Sequence, residues 1–177
     1  GVSVVEMFQK MREGEIRGLM SVCNNVMVSL PDTNKVRESL EGLDFYVCID
    51  FFMSESARYA DVVLPGTAWS EDEGVTTNGE GRVLKINKAS NPPGEARPDW
   101  WIVKQLAERL GRGKFFPYEN TRQMFEEMRE ASRGGTADYG GISWERIERE
   151  NGVFWPCPTE DHPGTPRVWA GAGRPAR

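Results

Sequence analysis

The sequence predicts an α/β fold built around a mostly parallel sheet, with a proline-rich extension at its carboxyl end. Helical patterns and short apolar runs alternate through the first 65 of the 177 residues, in the order helix, strand, helix, strand, helical turn, strand. Parallel strands require crossover connections of this kind. After Trp155 the chain carries five prolines and no periodicity. We therefore expect one α/β domain over residues 1–153 and an extended linker over residues 154–177.

The first helices and strands follow from local patterns. Ser3 and Glu6 have capping-box spacing ahead of a helical pattern that ends at Gly14. A second helix begins at residues 31–33 and ends near Gly42. The predicted strands are short and mostly apolar, and they cover residues 18–22, 45–49 and 62–64.

The second half of the chain has a different pattern. Residues 74–88 are polar and interrupted by glycines, which predicts a loop with short strand pieces. A clear helical pattern follows from about Asp99 to Leu110. Two further helices are expected to begin at Asn120 and Ser143.

Composition excludes several classes of function. The 22 basic and 27 acidic side chains give a net charge of −5, and without a basic tract a nucleic-acid partner is not expected. No apolar run approaches the roughly 20 residues of a membrane span. The three cysteines, Cys23, Cys48 and Cys157, are widely spaced, which argues against a disulfide scaffold, a zinc site or an iron–sulfur cluster in this stretch. A cytoplasmic location is expected, with a translocated parent protein as the alternative.

Polar residues follow two neighbouring predicted strands. Asn24 and Asn25 come after the first strand, and Asp50 closes the second. In an open parallel sheet, ligands bind outside the carboxyl ends of the strands, where amide and carboxylate groups can hold a nucleotide. The alternative is structural: the Asn pair forms a turn and Asp50 is a helix-side cap. On the nucleotide hypothesis we expect Asp50 to face solvent.

The usual catalytic and nucleotide motifs do not occur. No GxGxxG follows the first strand and no Walker A sequence is present, which disfavours an NAD-dependent dehydrogenase. His162 is the single histidine and lies in the proline-rich tail, so it is expected to be a surface residue. No Ser-His-Asp set can be built around it. The sequence thus predicts a binding site without a nucleophile, and a stand-alone nucleotide-binding module is one alternative.

An ordered series of segments resembles the molybdopterin-dependent oxidoreductases of the dimethyl sulfoxide reductase superfamily. The closest groups are the catalytic subunits of formate dehydrogenases and nitrate reductases. The series runs in family order over residues 3–168. Its segments include NVMVSLPD at 25–32, SESA at 54–57, ADVVLP at 60–65, WSEDEG at 69–74, EGRV at 80–83, PGEARPDW at 93–100, WPCP at 155–158 and GTPR at 164–167.

The resemblance implies a fold and a ligand. In this family the segment is a Rossmann-like three-layer domain, one of four domains in the subunit. It binds one guanosine arm of a bis(molybdopterin guanine dinucleotide) that carries molybdenum or tungsten. The [4Fe-4S] cluster and the metal ligand of the parent enzyme are expected outside this chain, so Cys23 is not expected to bind the metal. The expected partners are the remaining domains of the subunit and electron-transfer subunits.

The resemblance also implies individual roles. Asn24 or Asn25 would contact the cofactor, while the Ile49 backbone and Asp50 would hold the nucleoside with Ser54 close by. A further polar contact would come from Asp99, for which a plain helix N-cap is the alternative. Asp72 stands where nitrate reductases can carry a cofactor-binding lysine, so no contact is assigned there. No catalytic or metal-binding residue is expected in this chain.

Overall fold

The computed structural model describes residues 1–166, and these form two units, each with its own sheet. The first unit contains Gly1–Ala68 and Pro92–Leu106, and the second contains Trp69–Asn91 with the described residues from Ala107 onward. The division differs from the single domain predicted for residues 1–153. The reason is that residues 74–77 pair with residues 83–86, and Arg82 and Val83 pair with a later strand of the second unit.

The sheet of the first unit is parallel, as its alternating helices predict. It contains strands β1 (Gly18–Val22), β2 (Phe45–Asp50) and β3 (Val62–Pro65), in the order β1-β2-β3. Both strand pairs are parallel. The predicted strand positions and directions are therefore confirmed.

Helices pack against this parallel sheet through one apolar cluster. They are α1 (Val4–Arg12), α2 (Val26–Ser29) and α3 (Thr33–Glu41). Helix α4 (Asp99–Arg109) follows later in the chain, and its end belongs to the second unit. Ser3 caps α1 by accepting a hydrogen bond from the Glu6 amide at 3.2 Å, as the capping box predicts. The cluster contains Phe8, Met11, Val26, Met27, Val36, Leu40, Tyr46, Cys48 and Ala57.

The second unit contains an antiparallel sheet that the sequence does not predict. Its strands are β4 (Gly74–Thr77), β5 (Arg82–Ile86) and β6 (Val153–Phe154), and they are packed with helices α5 (Thr121–Ser132) and α6 (Trp144–Glu150). The short strand pieces expected within residues 74–88 are β4 and β5, but their pairing into a sheet with β6 was not predicted. The Asn78 carboxamide oxygen accepts from the amides of Glu80 and Arg82 at 3.1 and 3.0 Å, which closes a tight hairpin between β4 and β5.

Residues 154–166 are not an extended linker. Phe154 belongs to β6, and Cys157 is completely buried. The buried Arg146 guanidinium donates to the carbonyl of His162 at 2.8 Å, so the segment packs against α6 despite its prolines. Backbone carbonyls satisfied by one arginine leave no periodic sequence signal, which explains the wrong prediction. Residues 167–177 of the predicted linker lie outside the described residues.

None of the helices in residues 1–166 is long and apolar enough to cross a membrane. The longest of them, α5, has 12 residues. A membrane span needs about 20 apolar residues.

Candidate functional site

The candidate site lies at the carboxyl ends of β1 and β2, which we call the carboxyl edge. Val22 pairs with Ile49, and the Cys23 amide donates to the Ile49 carbonyl at 2.8 Å. The Asn24-Asn25 loop and Asp50 therefore follow neighbouring strands at one edge of the sheet, as expected. Ile49 itself is fully buried, and its carbonyl is already engaged by Cys23.

Asp50 is buried, with 8% of its surface exposed, so the expectation that it faces solvent was wrong. Its Oδ1 accepts from the amides of Phe51 and Phe52 at 2.8 and 3.4 Å. Its Oδ2 accepts from the Ser54 hydroxyl at 2.8 Å. The carboxylate thus holds the loop that follows β2, which is a structural role, although the amides that it caps belong to a loop and not to the helix of the structural alternative. Each carboxylate oxygen has two lone-pair sites, so Oδ2 retains capacity for a ligand.

Asn25 ties the loop after β1 to the turn before β3. Its Nδ2 donates to Glu55 at 2.6 Å, and its Oδ1 accepts from the Ser56 hydroxyl at 2.7 Å. Ser56 is fully buried. Asn24 is exposed, and its Oδ1 accepts from the Ser29 hydroxyl at 3.1 Å. These contacts make Asn25 a structural link within the site and leave Asn24 at its surface.

Asp99 begins helix α4 and reaches the carboxyl edge. Its Oδ2 accepts from the Cys23 thiol at 3.1 Å. The Ile102 amide donates to the Pro98 carbonyl at 3.1 Å, so Pro98 is at the cap position and Asp99 lies in the first turn. Negative charge is favoured there by the helix dipole. The structure therefore places Asp99 beside the loop after β1 and not at the N-cap.

The second carboxylate oxygen of Asp99 is buried and has no hydrogen-bond partner. It faces Gly66, where a Cβ atom would lie only 2.6 Å from it. An unpaired buried acceptor costs free energy comparable to a lost hydrogen bond, and more when it is charged. This arrangement fits a ligand that brings N–H or O–H donors to the edge.

Other buried side-chain atoms of residues 1–166 also lack partners, but their chemistry differs. They are Arg82 Nε, Thr121 Oγ1, Arg129 Nε and Trp155 Nε1. Each belongs to the second unit, and none is a carboxylate oxygen. Asp99 Oδ1 is thus the one buried carboxylate oxygen without a hydrogen-bond partner in the described part of the chain.

Cys23 is a neutral thiol in this environment. Desolvation, followed by the hydrogen bond to Asp99 and the charge of that carboxylate, raises its pKa to about 12. Because the thiolate is the form that binds metals and attacks electrophiles, Cys23 is unsuited to both roles at neutral pH. Within residues 1–166, no three His, Cys, Asp or Glu side chains are grouped closely enough to hold a metal ion.

Two features of the carboxyl edge were not predicted from the sequence. The contact between Cys23 and Asp99 joins residues 76 positions apart, and no local pattern marks it. Gly66 follows β3 directly and its lack of a side chain makes room for the Asp99 carboxylate. A glycine at the end of a predicted parallel strand is a signal that could have identified it.

His162 has a structural role. Its Nδ1 accepts from the Gly164 amide at 3.0 Å, and its carbonyl accepts from Arg146. The side chain is partly buried, which differs from the surface position expected. Both contacts lie within the second unit, whereas the carboxyl edge belongs to the first unit.

Comparison with known proteins assigns the family. The family model described as molybdopterin oxidoreductase matches residues 1–109, which is more than half of the chain. The chain therefore belongs to the molybdopterin oxidoreductase family. The match spans every residue of the carboxyl edge, since Asp99 lies within it.

Two curated relatives show which enzymes of this family the chain is similar to. The chain is 52% identical to the assimilatory nitrate reductase catalytic subunit of Bacillus subtilis over 96% of its own length and 24% of that protein. It is 41% identical to the F420-dependent formate dehydrogenase 1 subunit alpha of Methanococcus maripaludis, covering 94% of this chain and 24% of that one. The chain spans about a quarter of the length of these curated relatives.

A solved structure shares the fold. The acetylene hydratase of Pelobacter acetylenicus superposes with a TM-score of 0.65 at 23% identity, covering 82% of this chain and 20% of that one. At this level of identity the likeness concerns the fold alone.

Proposed function

We propose that this chain is part of the catalytic subunit of a molybdenum or tungsten oxidoreductase of the nitrate reductase or formate dehydrogenase type. Its role is to bind one guanosine arm of a bis(molybdopterin guanine dinucleotide). The identity to a nitrate reductase and a formate dehydrogenase supports the class of the parent enzyme. The carboxyl edge of the parallel sheet supports the nucleotide, because such edges are where α/β folds bind nucleotides.

The observation that carries this proposal is the unpaired, buried Asp99 Oδ1 beside Gly66. Guanine presents an N1–H and a 2-amino group, and ribose presents hydroxyls, so a guanosine supplies the donors that this oxygen lacks. Asp50 offers a second acceptor at the same edge, positioned by Ser54. Asn24 and the Ile49 backbone complete the proposed contacts, with Asn25 holding the loop that carries Asn24.

The residues of this chain bind and orient the cofactor. When bound, the cofactor supplies the metal and the relay of electrons, and the protein supplies position and electrostatics. The proposed partners are the remaining domains of the same subunit and electron-transfer subunits, with the [4Fe-4S] cluster outside this chain. The three cysteines are free thiols, which supports a reducing compartment such as the cytoplasm. A translocated parent is the alternative.

Titration of the 177-residue chain with GDP, followed by NMR or calorimetry, tests the proposal. Asp50→Asn keeps the shape of the buried side chain and removes its charge, whereas Asp50→Ala would also release the loop amides. We expect Asp50→Asn to weaken GDP binding about ten- to hundredfold, since a hydrogen bond to a charged group contributes about 1.5–3 kcal/mol. Circular dichroism establishes that the variant is folded.

Asp44→Asn is the matched control. Asp44 precedes the opposite, amino end of β2 and forms an ion pair with Arg17 at the surface. Its replacement removes the same charge from the same unit and should leave GDP binding unchanged. Absence of GDP binding to the unmodified chain, or equal losses in the two variants, would overturn the proposed function.

A further inference from the structure

The loop after β2 exposes three apolar side chains next to the carboxyl edge. Phe51, Phe52 and Met53 are 50%, 71% and 62% exposed, and we call them the 51–53 tip. We propose that Phe52, supported by Phe51, is the stacking face for the base of the nucleotide held at Asp50. The inference rests on the proposed function and adds the residue that would recognise the plane of the base.

The tip is exposed but its backbone is fixed. The amides of Phe51 and Phe52 both donate to Asp50 Oδ1, and the Ser54 amide donates to the Phe52 carbonyl at 2.8 Å. The Ser54 hydroxyl in turn donates a hydrogen bond to Asp50 Oδ2. Asp50 therefore holds the two aromatic residues close to its own carboxylate. A large apolar surface on a fixed loop is suited to contact a ligand or another part of the protein.

The two rings support each other. Their centroids lie 4.8 Å apart with an interplanar angle of 49°. Aromatic pairs at this separation attract each other, and the contact limits the orientations of the outer ring. Phe52 is the more exposed of the two and therefore offers the free face. Stacking on an aromatic ring is a general way for proteins to hold a base.

The charge of the edge determines which end of a nucleotide fits here. Asp50, Glu55 and Asp99 all carry carboxylates at this edge, and Asn25 holds Glu55 ionised by lowering its pKa. Such a surface repels a diphosphate and accepts the N–H groups of a neutral base. The base end of the nucleotide is thus favoured beside Asp50, within reach of the adjoining 51–53 tip.

Stacking and hydrogen bonding predict different changes in ligand affinity when a side chain is replaced. A ring face binds any purine, because every base has a π face, whereas the carboxylates recognise the donors of guanine. Loss of the ring should weaken GDP and IDP equally, since IDP lacks only the 2-amino group. Loss of an acceptor should reduce the preference for GDP over IDP. Ribose 5-phosphate, which has no base, should not respond to the ring at all.

The experiment titrates the 177-residue chain with GDP, IDP and ribose 5-phosphate. Phe52→Leu should weaken GDP and IDP by the same factor, roughly five- to hundredfold, and Phe52→Trp should restore binding. Phe45→Leu is the matched control, because Phe45 is 52% exposed at the opposite end of β2. It should bind all three ligands as the unmodified chain does.

The outcomes separate this inference from the proposed function. Equal GDP binding by Phe52→Leu and the unmodified chain, with Asp50→Asn still weakened, would overturn the stacking role alone. A chain that does not bind GDP overturns the proposed function and, with it, the inference. A loss for GDP but not for IDP would assign Phe52 to recognition of the 2-amino group and also overturn stacking.

Discussion

Two polar clusters of this protein use the same residue types in opposite ways. The carboxyl edge of the first unit contains the Cys23 thiol beside the Asp99 carboxylate. A second cluster, which we call the Arg146 cluster, contains Asp138, Arg146, Cys157 and the His162 carbonyl in the second unit. Comparison of the two shows how a polar group that supports the fold differs from one that is ready for a ligand.

The Arg146 cluster is satisfied by the protein itself. Both oxygens of Asp138 accept backbone amides, from Gly140 at 2.6 Å and from Gly134 at 2.7 Å, and these bonds lower the pKa of Asp138. Arg146 donates to the carbonyls of Gly141 and His162 at 3.0 and 2.8 Å. Such a cluster rigidifies the fold and leaves no group for a ligand.

The carboxyl edge is not satisfied in this way. Asp99 Oδ1 lacks a partner. Besides desolvation, the causes that raise the pKa of Cys23 include the charges of Asp99 and Asp50, and no cation is among them. The causes of the pKa shifts of the two thiols show this difference. Burial raises the pKa of Cys157 while the Arg146 guanidinium opposes the shift, whereas at Cys23 desolvation and Asp99 act in the same direction. An uncompensated acid at a sheet edge is thus the feature that distinguishes the proposed binding site.

The largest effect is expected from Arg146→Met. The change leaves the carbonyls of Gly141 and His162 buried without their donor, and it removes the link between α6 and residues 157–162. We expect the free energy of unfolding to fall by about 3–5 kcal/mol, measured by urea denaturation. Arg146→Lys is the control, since it retains the charge but loses the planar fork, and it should recover only part of the loss. A change below about 1 kcal/mol would show that the cluster does not stabilise the second unit.

An intermediate effect is expected on the reactivity of Cys23. Asp99→Asn removes the hydrogen bond to a charged oxygen and the charge itself, so the pKa of Cys23 should fall, although desolvation still holds it above its ordinary value. At pH 9 the thiolate fraction and the rate of alkylation by iodoacetamide should rise roughly three- to tenfold. Cys48 and Cys157 are buried and should not react in the folded protein. An unchanged rate would mean that Asp99 does not act on the thiol.

The parallel sheet and the position of its carboxyl edge were predictable from sequence because their signals are local. Apolar runs at 18–22, 45–49 and 62–64 mark the strands, and the intervening helices require them to be parallel. Once the strands are parallel, Asn25 and Asp50 must share an edge. The positions of the candidate residues therefore followed from the pattern.

The second sheet, the packing of residues 154–166 and the burial of Asp50 depend on contacts that no local sequence pattern marks. β6 completes the second sheet from more than 60 residues beyond β5, and a two-residue strand has no periodicity to detect. The packing of residues 154–166 depends on one buried arginine, Arg146. The burial of Asp50 follows from the loop that folds over it, and a sequence shows the acid but not its exposure.

The smallest effect on stability, and the most direct test of the central claim, is expected for Asp99→Asn. Because Asp99 is proposed to serve a ligand and not the fold, replacing its unpaired oxygen should change the free energy of unfolding by no more than about 0.5 kcal/mol or increase it. The same sample should bind GDP about ten- to hundredfold more weakly than the unmodified chain. Unfolding by urea and titration with GDP on one preparation give both values. A loss of stability of about 2 kcal/mol or more with unchanged GDP binding would contradict the account, because Asp99 would then be a structural residue like Asp138.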